Sequence, residues 1–385
     1  MRIWGLRIAW GLAVMIASAA LLASGAYLGY QLAPASMAAP AAPQPSPSPS
    51  TVMPVRPEPP AEAVAPPLPL VPYKGPVEQI FFHPLIVYPA RAFDGDGQSR
   101  GYNDWMVTVP EFKQILERLY RNNFILVRMT DLFEERQSTV VRRDLYLPEG
   151  KRPLIIDIDD LNYYDYMRAN GNAFKLVLDD AGRIATYSVD LHGQPVTSYN
   201  DDIVPILDGF VAVHPDFALN GAKGVIALTG YEGILGYRTR PDTPGYDSEQ
   251  REALKVVQRL KETGWSFAAH SWGHLDMAKV NYATLVADTE RWKAQVEPLI
   301  GPTPVYIWPF GSRAAPSDPK FQYLQKAGFR IFAGINPKPL LQINPGYALF
   351  DRRRVDGLAL AKQHFILEDL FDPDGILDPV RPDTY

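Results

Sequence analysis

The sequence predicts an α/β protein organised around a parallel sheet or barrel, and three observations carry that expectation. From about residue 78 short apolar runs alternate with helix-period segments, the signature of repeated β/α units. The apolar runs, such as "RPLIID", lack polar alternation, which marks strands buried on both faces. The residues with chemical potential fall at the ends of these runs, where parallel β/α folds place their sites.

Taken in order, the chain opens with "MRIWGLRIAWGLAVMIASAALLASGAYLGYQL", in which residues 8–30 carry no charge and follow Arg2 and Arg7. That length suffices to cross roughly 30 Å of hydrocarbon as one helix, and the flanking arginines put the start in the cytoplasm and the rest outside it. Residues 1–33 therefore read as a transmembrane anchor, or as a signal cleaved near Ala23–Ala26. Residues 34–76 hold Pro at 15 of 43 positions among Ala and Ser, a composition that forms an extended spacer and no core. Residues 77–385 are left as the folded domain.

Within that domain "EQIFFHPLIVYP" reads as a first strand, and "TVPEFKQILERLYRNNF" as an amphipathic helix capped by Thr108 and followed by a strand at "FILVRM". "RPLIIDID" is the next strand, and "FKLVLDDAGRIATYSVD" a hairpin turning at Asp180-Ala181-Gly182. "KGVIALTG", "WSFAAHS", "VYIWPFG" and "FRIFAGI" supply later strands. Helices at "SEQREALKVVQRLKETG", "YATLVADTERWKAQVEPLIG" and "DPKFQYLQKAG" separate them. There is no internal repeat.

Composition narrows the function. A hydrophobic fraction of 46% over 385 residues supports a large core, and a net charge of −5 without a Lys/Arg block leaves no footprint for nucleic acid. The absence of Cys excludes disulfides, thiolate metal ligands and a thiol nucleophile.

Two clusters carry chemistry. Asp157, Asp159 and Asp160 crowd the end of one strand, and His270 and His274 stand four apart at the end of another. Two histidines at that spacing with a carboxylate from a second strand make a three-ligand site for Zn²⁺ or a similar divalent ion, with positions left open for substrate. A cation also explains why a strand would end in mutually repelling acids: it neutralises one, and the other stays ionised beside it as a proton acceptor. A helix cap or solvated loop is the ordinary role of either cluster alone.

These motifs resemble those of the polysaccharide deacetylases of carbohydrate esterase family 4. "DIDDL" is similar to the family's Thr-Phe-Asp-Asp-Gly, "HSWGH" matches its His-Ser/Thr-x-x-His, and "IWPFG" is similar to its Arg-x-Pro-Tyr/Phe-Gly, with the order of elements alike over about residues 78–360. The resemblance implies a distorted (β/α) barrel with a hairpin-bearing insertion at about 161–223. It implies Asp159 as catalytic base, Asp160, His270 and His274 as ligands of one divalent metal (Zn, with Co, Ni or Mn as alternatives), and Trp308, Pro309 and Phe310 at the oxyanion and substrate side. The chain departs from the family at three places. Asp157 and Leu161 replace Thr and Gly of the first motif, and Asp157 either raises the pKa of Asp159 by like-charge repulsion or points away from it. Ile307 stands where the family has its base-orienting arginine, so Arg352 or Arg354 of "FDRRRVDG", with Asp157, become the orienting candidates. The late Leu-x-His motif is missing, which leaves His83 at the end of the first strand as the candidate acid; His192, His214 and His364 have no assigned role.

The resulting expectation is a membrane-anchored, extracytoplasmic, metal-dependent deacetylase acting on a polysaccharide of the N-acetylglucosamine type, with aromatics of "NYYDYM" and "GYEGILGYRT" either stacking on sugar rings or closing a domain edge. O-acetyl ester hydrolysis by the same machinery and a catalytically silent wall-binding protein are the alternatives.

Overall fold

In a computed structural model, which describes residues 69–137 and 139–382, the buried apolar runs close on one another. Seven parallel strands form the ring: β1 (Glu78–Phe82), β2 (Arg152–Asp159), β3 (Val225–Leu228), β4 (Ser266–Ala269), β5 (Val305–Ile307), β6 (Ile331–Ile335) and β7 (Tyr347–Arg354). Each pairs with the next in chain order, and β7 returns to β1 through Arg353↔Ile80 and Arg354↔Phe81. The barrel is uneven. β4 and β5 share the single pair Ala269↔Tyr306, and a short parallel strand at Phe124–Leu126 occupies the edge of β2 at residues 152–154 before β3 takes it at 157–159.

Alternation sorts the side chains. Ile80, Phe82, Leu154, Ile156, Ile158, Phe267 and Tyr306 face outward and pack under the helices in one large cluster. Val77, Ile155, Val225, Ala227, Ala268, Val305, Ile331 and Phe350 form a second, inner cluster. The same inward parity carries Gln79, Phe81, Asp157, Asp159, Arg352 and Arg354 toward the carboxyl end of the ring. The barrel interior is thus apolar at the strand starts and ionic at the strand ends.

Most expected elements form within a residue or two, including the helix Val109–Arg121. Its Thr108 side chain accepts from the Glu111 N–H at 3.4 Å, while Glu111 Oε2 accepts from the Thr108 N–H at 2.7 Å. The segment expected as one helix from Tyr282 divides at Val296 into Tyr282–Gln295 and Glu297–Ile300, where Pro298 has no N–H to donate to the preceding turn. The strand at "FILVRM" stops at Leu126, and Met129–Leu132 form a 3₁₀ turn. In the insertion the hairpin Lys175–Leu178/Ile184–Val189 turns where Asp179 Oδ1 accepts from the Ala181 and Arg183 N–H groups. A third strand, Pro195–Ser198, and the helix Ile203–Val213 extend it.

The start of the domain differs from the compositional boundary. Leu70–Tyr73, inside the Pro-rich stretch, pairs antiparallel with Leu145–Pro148, and Tyr73 packs against the inner cluster. Pro72 is tolerated because an edge strand needs only half its N–H groups. Accordingly, a truncated form beginning at residue 69 is expected to melt with the full chain. One beginning at residue 77 should lose about 1 kcal/mol, a fall of roughly 2–4 °C readable by calorimetry. Equal melting of the two forms would mean the strand adds nothing.

The expected membrane span at residues 8–30 lies outside the described residues; among those described, no helix is long and apolar enough to cross a membrane.

Candidate active site

The ends of β1, β2, β4 and β7 line one cavity of about 470 Å³, whose walls include His83, Asp159, Asp160, His270, His274 and Phe310. Left-handed backbone at four non-glycine residues shapes its floor: Asp160 (φ 59°), Ser271 (63°), His274 (51°) and Phe310 (59°). Such conformations cost roughly 1–3 kcal/mol each and persist where surrounding contacts impose them.

Those contacts are identifiable around the histidine turn. The Asp288 carboxylate accepts from the Trp272 N–H at 2.8 Å and the Gly273 N–H at 2.7 Å, and Ser271 Oγ accepts from the Leu275 N–H at 3.1 Å. Downstream the buried Lys320 ammonium donates to the carbonyls of Met277, Ala278 and Val280. Gly230 permits the close approach, since a Cβ there would meet the Trp272 ring at 2.4 Å. One carboxylate and one ammonium therefore hold the segment that presents His274.

Asp160, His270 and His274 bring their ligand atoms within 4.8 Å of one another. Their donor chemistry fits a divalent cation. His270 Nδ1 lies 2.9 Å from the Ile307 carbonyl, which can only accept, so the proton sits on Nδ1 and Nε2 is a bare donor atom. Burial holds the His270 pKa below its usual value against the pull of Asp159 and Asp160, which keeps the ring neutral. Burial also acts to raise Asp160, but the charge that His274, His270 and His83 carry when protonated outweighs it and lowers the Asp160 pKa.

Asp159 is the second functional carboxylate. Arg352 grips it in a fork, Nη1 to Oδ1 at 2.7 Å and Nη2 to Oδ2 at 3.0 Å, and the same Nη1 reaches Asp157 Oδ2 at 3.3 Å. Burial raises Asp159, yet Arg352 and then His270 pull harder and hold it at about 2. Asp157 takes the opposite course. Burial, aided by Asp159, pushes it up to about 7 against Arg352, and Gln79 Nε2 donates to its Oδ2 at 2.6 Å. Burial, with a lesser push from Asp159, thus raises Asp157, and no rise occurs at Asp159.

The remaining site residues separate by depth and by parity. Arg352, entirely buried, meets the base. Arg354 bonds Gln363, lies 3.6 Å from Asp356 and covers the Trp105 ring at 5.3 Å on the cavity wall, so it does not share the base-orienting contact. His83 Nδ1 lies 3.0 Å from the Trp105 carbonyl. Of the third motif only Phe310 faces the cavity, its ring edge-on to His274 at 4.6 Å. Trp308 points outward and stacks with Phe332 and Phe321, and Pro309 is buried; the expected substrate contact of both side chains gives way to core packing. The tyrosines of "NYYDYM" and "GYEGILGYRT" are likewise mostly structural. Tyr163 bonds Asp202 at 2.6 Å, Tyr164 bonds Asp160 at 2.7 Å and Tyr237 bonds the Leu176 carbonyl at 2.9 Å, while Tyr166 alone of "NYYDYM" lines the cavity. His192, His214 and His364 do not line it. Sequence reasoning missed Gln79 and Asp288, and it marked Tyr164 only as an aromatic and not as a partner of Asp160; the inward parity of Gln79 with Phe81 was the available signal for the first, and nothing local marked Asp288.

A family model described as polysaccharide deacetylase matches residues 245–332, which include His270, His274 and Phe310. The match is to the polysaccharide deacetylase family and spans 88 of the 385 residues. Polysaccharide deacetylases are hydrolases, and Asp159 and Asp160 join the matched segment from β2. Two solved structures are similar at low identity. The deacetylase PplD of Streptococcus pyogenes in complex with acetate is 12% identical with a TM-score of 0.45, covering 78% of this chain and 99% of that one. A polysaccharide deacetylase from Bacillus cereus is 14% identical with a TM-score of 0.39, covering 76% and 69%. No curated protein matches the chain.

Proposed function

We propose that the protein is a metal-dependent hydrolase removing N-acetyl groups from an amino-sugar polysaccharide of the cell wall or an exopolysaccharide. The observation that supports this best is the convergence of Asp160, His270 and His274 beside a carboxylate, Asp159, whose proton affinity and direction are fixed by the Arg352 fork. A divalent cation held by those three residues, with Zn the first candidate and Co, Ni or Mn next, supplies Lewis acidity toward the acetyl carbonyl and lowers the pKa of water. Asp159 accepts the proton of the attacking water and, being held ionised, is in the required form across the neutral range. The turn at Pro309–Gly311 presents Phe310 backbone to the developing oxyanion.

His83 delivers the proton to the leaving amine. Its Nδ1–H donates to the Trp105 carbonyl, so Nε2 is the nitrogen that exchanges a proton with substrate. This replaces the family's late histidine with one from the first strand.

Membrane anchoring and an extracytoplasmic site belong to this proposal and rest on the sequence of residues 1–33 and the spacer alone. Acetate release tests the substrate class: N-acetylated chitooligosaccharides or peptidoglycan should yield acetate, and O-acetylated xylan should not. Release from the ester alone would reassign the activity to O-deacetylation. Retention of these polymers without acetate from any of them would leave a carbohydrate-binding protein.

A further inference from the structure

Asp160 offers one carboxylate oxygen to the histidines. Its Oδ2 lies 3.5 Å from His274 Nε2, while Oδ1 accepts the Tyr164 hydroxyl proton at 2.7 Å. With that proton committed, the Tyr164 oxygen accepts from Thr229 Oγ1 at 2.5 Å. Thr229 cannot drift, because its N–H donates to Asn162 Oδ1 at 3.2 Å and its carbonyl accepts from Asn162 Nδ2 at 3.0 Å. The Tyr164 ring is stacked between Tyr231, at 4.6 Å, and Tyr166, at 5.8 Å. Asn162, Tyr164 and Thr229 are all buried.

We infer that Tyr164 is a positioning residue of the metal site: its hydroxyl, oriented by Thr229 and Asn162, occupies one oxygen of Asp160 and so makes this carboxylate a single-oxygen ligand of fixed direction. The inference rests on the Asp-His-His metal reading above. Carboxylate torsions are broad, and an unsupported Asp160 could turn either oxygen, or both, toward the histidines. Selecting one orientation in advance removes that freedom before any ion arrives, as the Ile307 carbonyl does for His270. Outer partners of this kind are worth about 10- to 100-fold in metal affinity.

The test uses the full chain, stripped of metal, with Zn²⁺ affinity read by competition against a fluorescent chelator. Tyr164→Phe removes one oxygen and retains the stacked ring. Zinc binding should weaken about 10- to 100-fold, while the melting temperature in excess chelator stays near that of the parent. Thr229→Val, which leaves Tyr164 without its donor, should weaken zinc in the same direction by a smaller factor and carries the test should Tyr164→Phe fold poorly. Zinc affinity within twofold of the parent in well-folded Tyr164→Phe, or in Thr229→Val where that variant carries the test, would overturn the inference while leaving the metal reading intact. A parent chain that takes up no zinc would overturn the metal reading and the inference with it.

Discussion

Asp159→Asn and Asp160→Asn, adjacent and chemically identical changes, are expected to abolish activity by different routes. Asp160 contributes a ligand atom, so its amide should lower metal affinity and activity together, and excess metal should restore part of the activity. Asp159 lies within the Arg352 fork, and its carboxylate serves as the proton acceptor. Its amide keeps the size and loses that capacity, which should leave metal content unchanged while turnover falls about 10²- to 10⁴-fold. Metal titration followed by acetate release under saturating metal separates the two routes. Identical behaviour of both variants in the metal titration would refute the division of labour, and undiminished turnover in Asp159→Asn would remove it as the base.

The second large effect concerns Arg352. Its side chain is fully buried, serves both Asp159 and Asp157, and lies over the Phe81 ring at 4.4 Å. Arg352→Met deletes the cation and strands two carboxylates in the barrel interior. Removing one partner of a buried ion pair costs about 3–5 kcal/mol, a large share of the stability of an ordinary domain. A steep fall in the urea midpoint is therefore expected, together with loss of turnover. Adding Asp157→Leu should recover part of the stability, since one of the two stranded acids is then gone, without recovering turnover, because Asp159 still lacks its orienting fork. Arg352→Lys should retain more stability than Met but less activity than the parent, because an ammonium cannot grip both Asp159 oxygens in parallel. An Arg352→Met protein as stable as the parent would show that the acids are neutral in the folded state.

Much of this arrangement was legible in the sequence because barrel strands display two-residue alternation. The parity that puts Asp157 and Asp159 on one side of β2 also puts Arg352 and Arg354 on one side of β7, so both arginines were reasonable partners for the base. What separated them was depth: Arg352 lies deep enough in the ring for its guanidinium to reach both oxygens of Asp159, and Arg354, one pleat higher, reaches Trp105 on the cavity wall. Depth depends on strand stagger around the ring, which no local pattern records. Which of the two carboxyls is raised was open for the same reason, since it depends on how deeply Asp157 is buried and on how closely the cation meets Asp159. Trp308 was misassigned because proximity in sequence to Phe310 says nothing about parity; it continues the outward-facing Tyr306. The strand at Leu70–Tyr73 was hidden by prolines that an edge position tolerates.

The most direct measurement is a zinc titration of metal-stripped full-length protein, with bound metal and acetate release from an N-acetylated chitooligosaccharide recorded on the same samples. Both should rise together and level off at one equivalent, and both should be lost in His270→Ala. Acetate release at full rate in chelator-treated, metal-free protein, or saturation with zinc and no acetate from any amino-sugar polymer, would contradict the account.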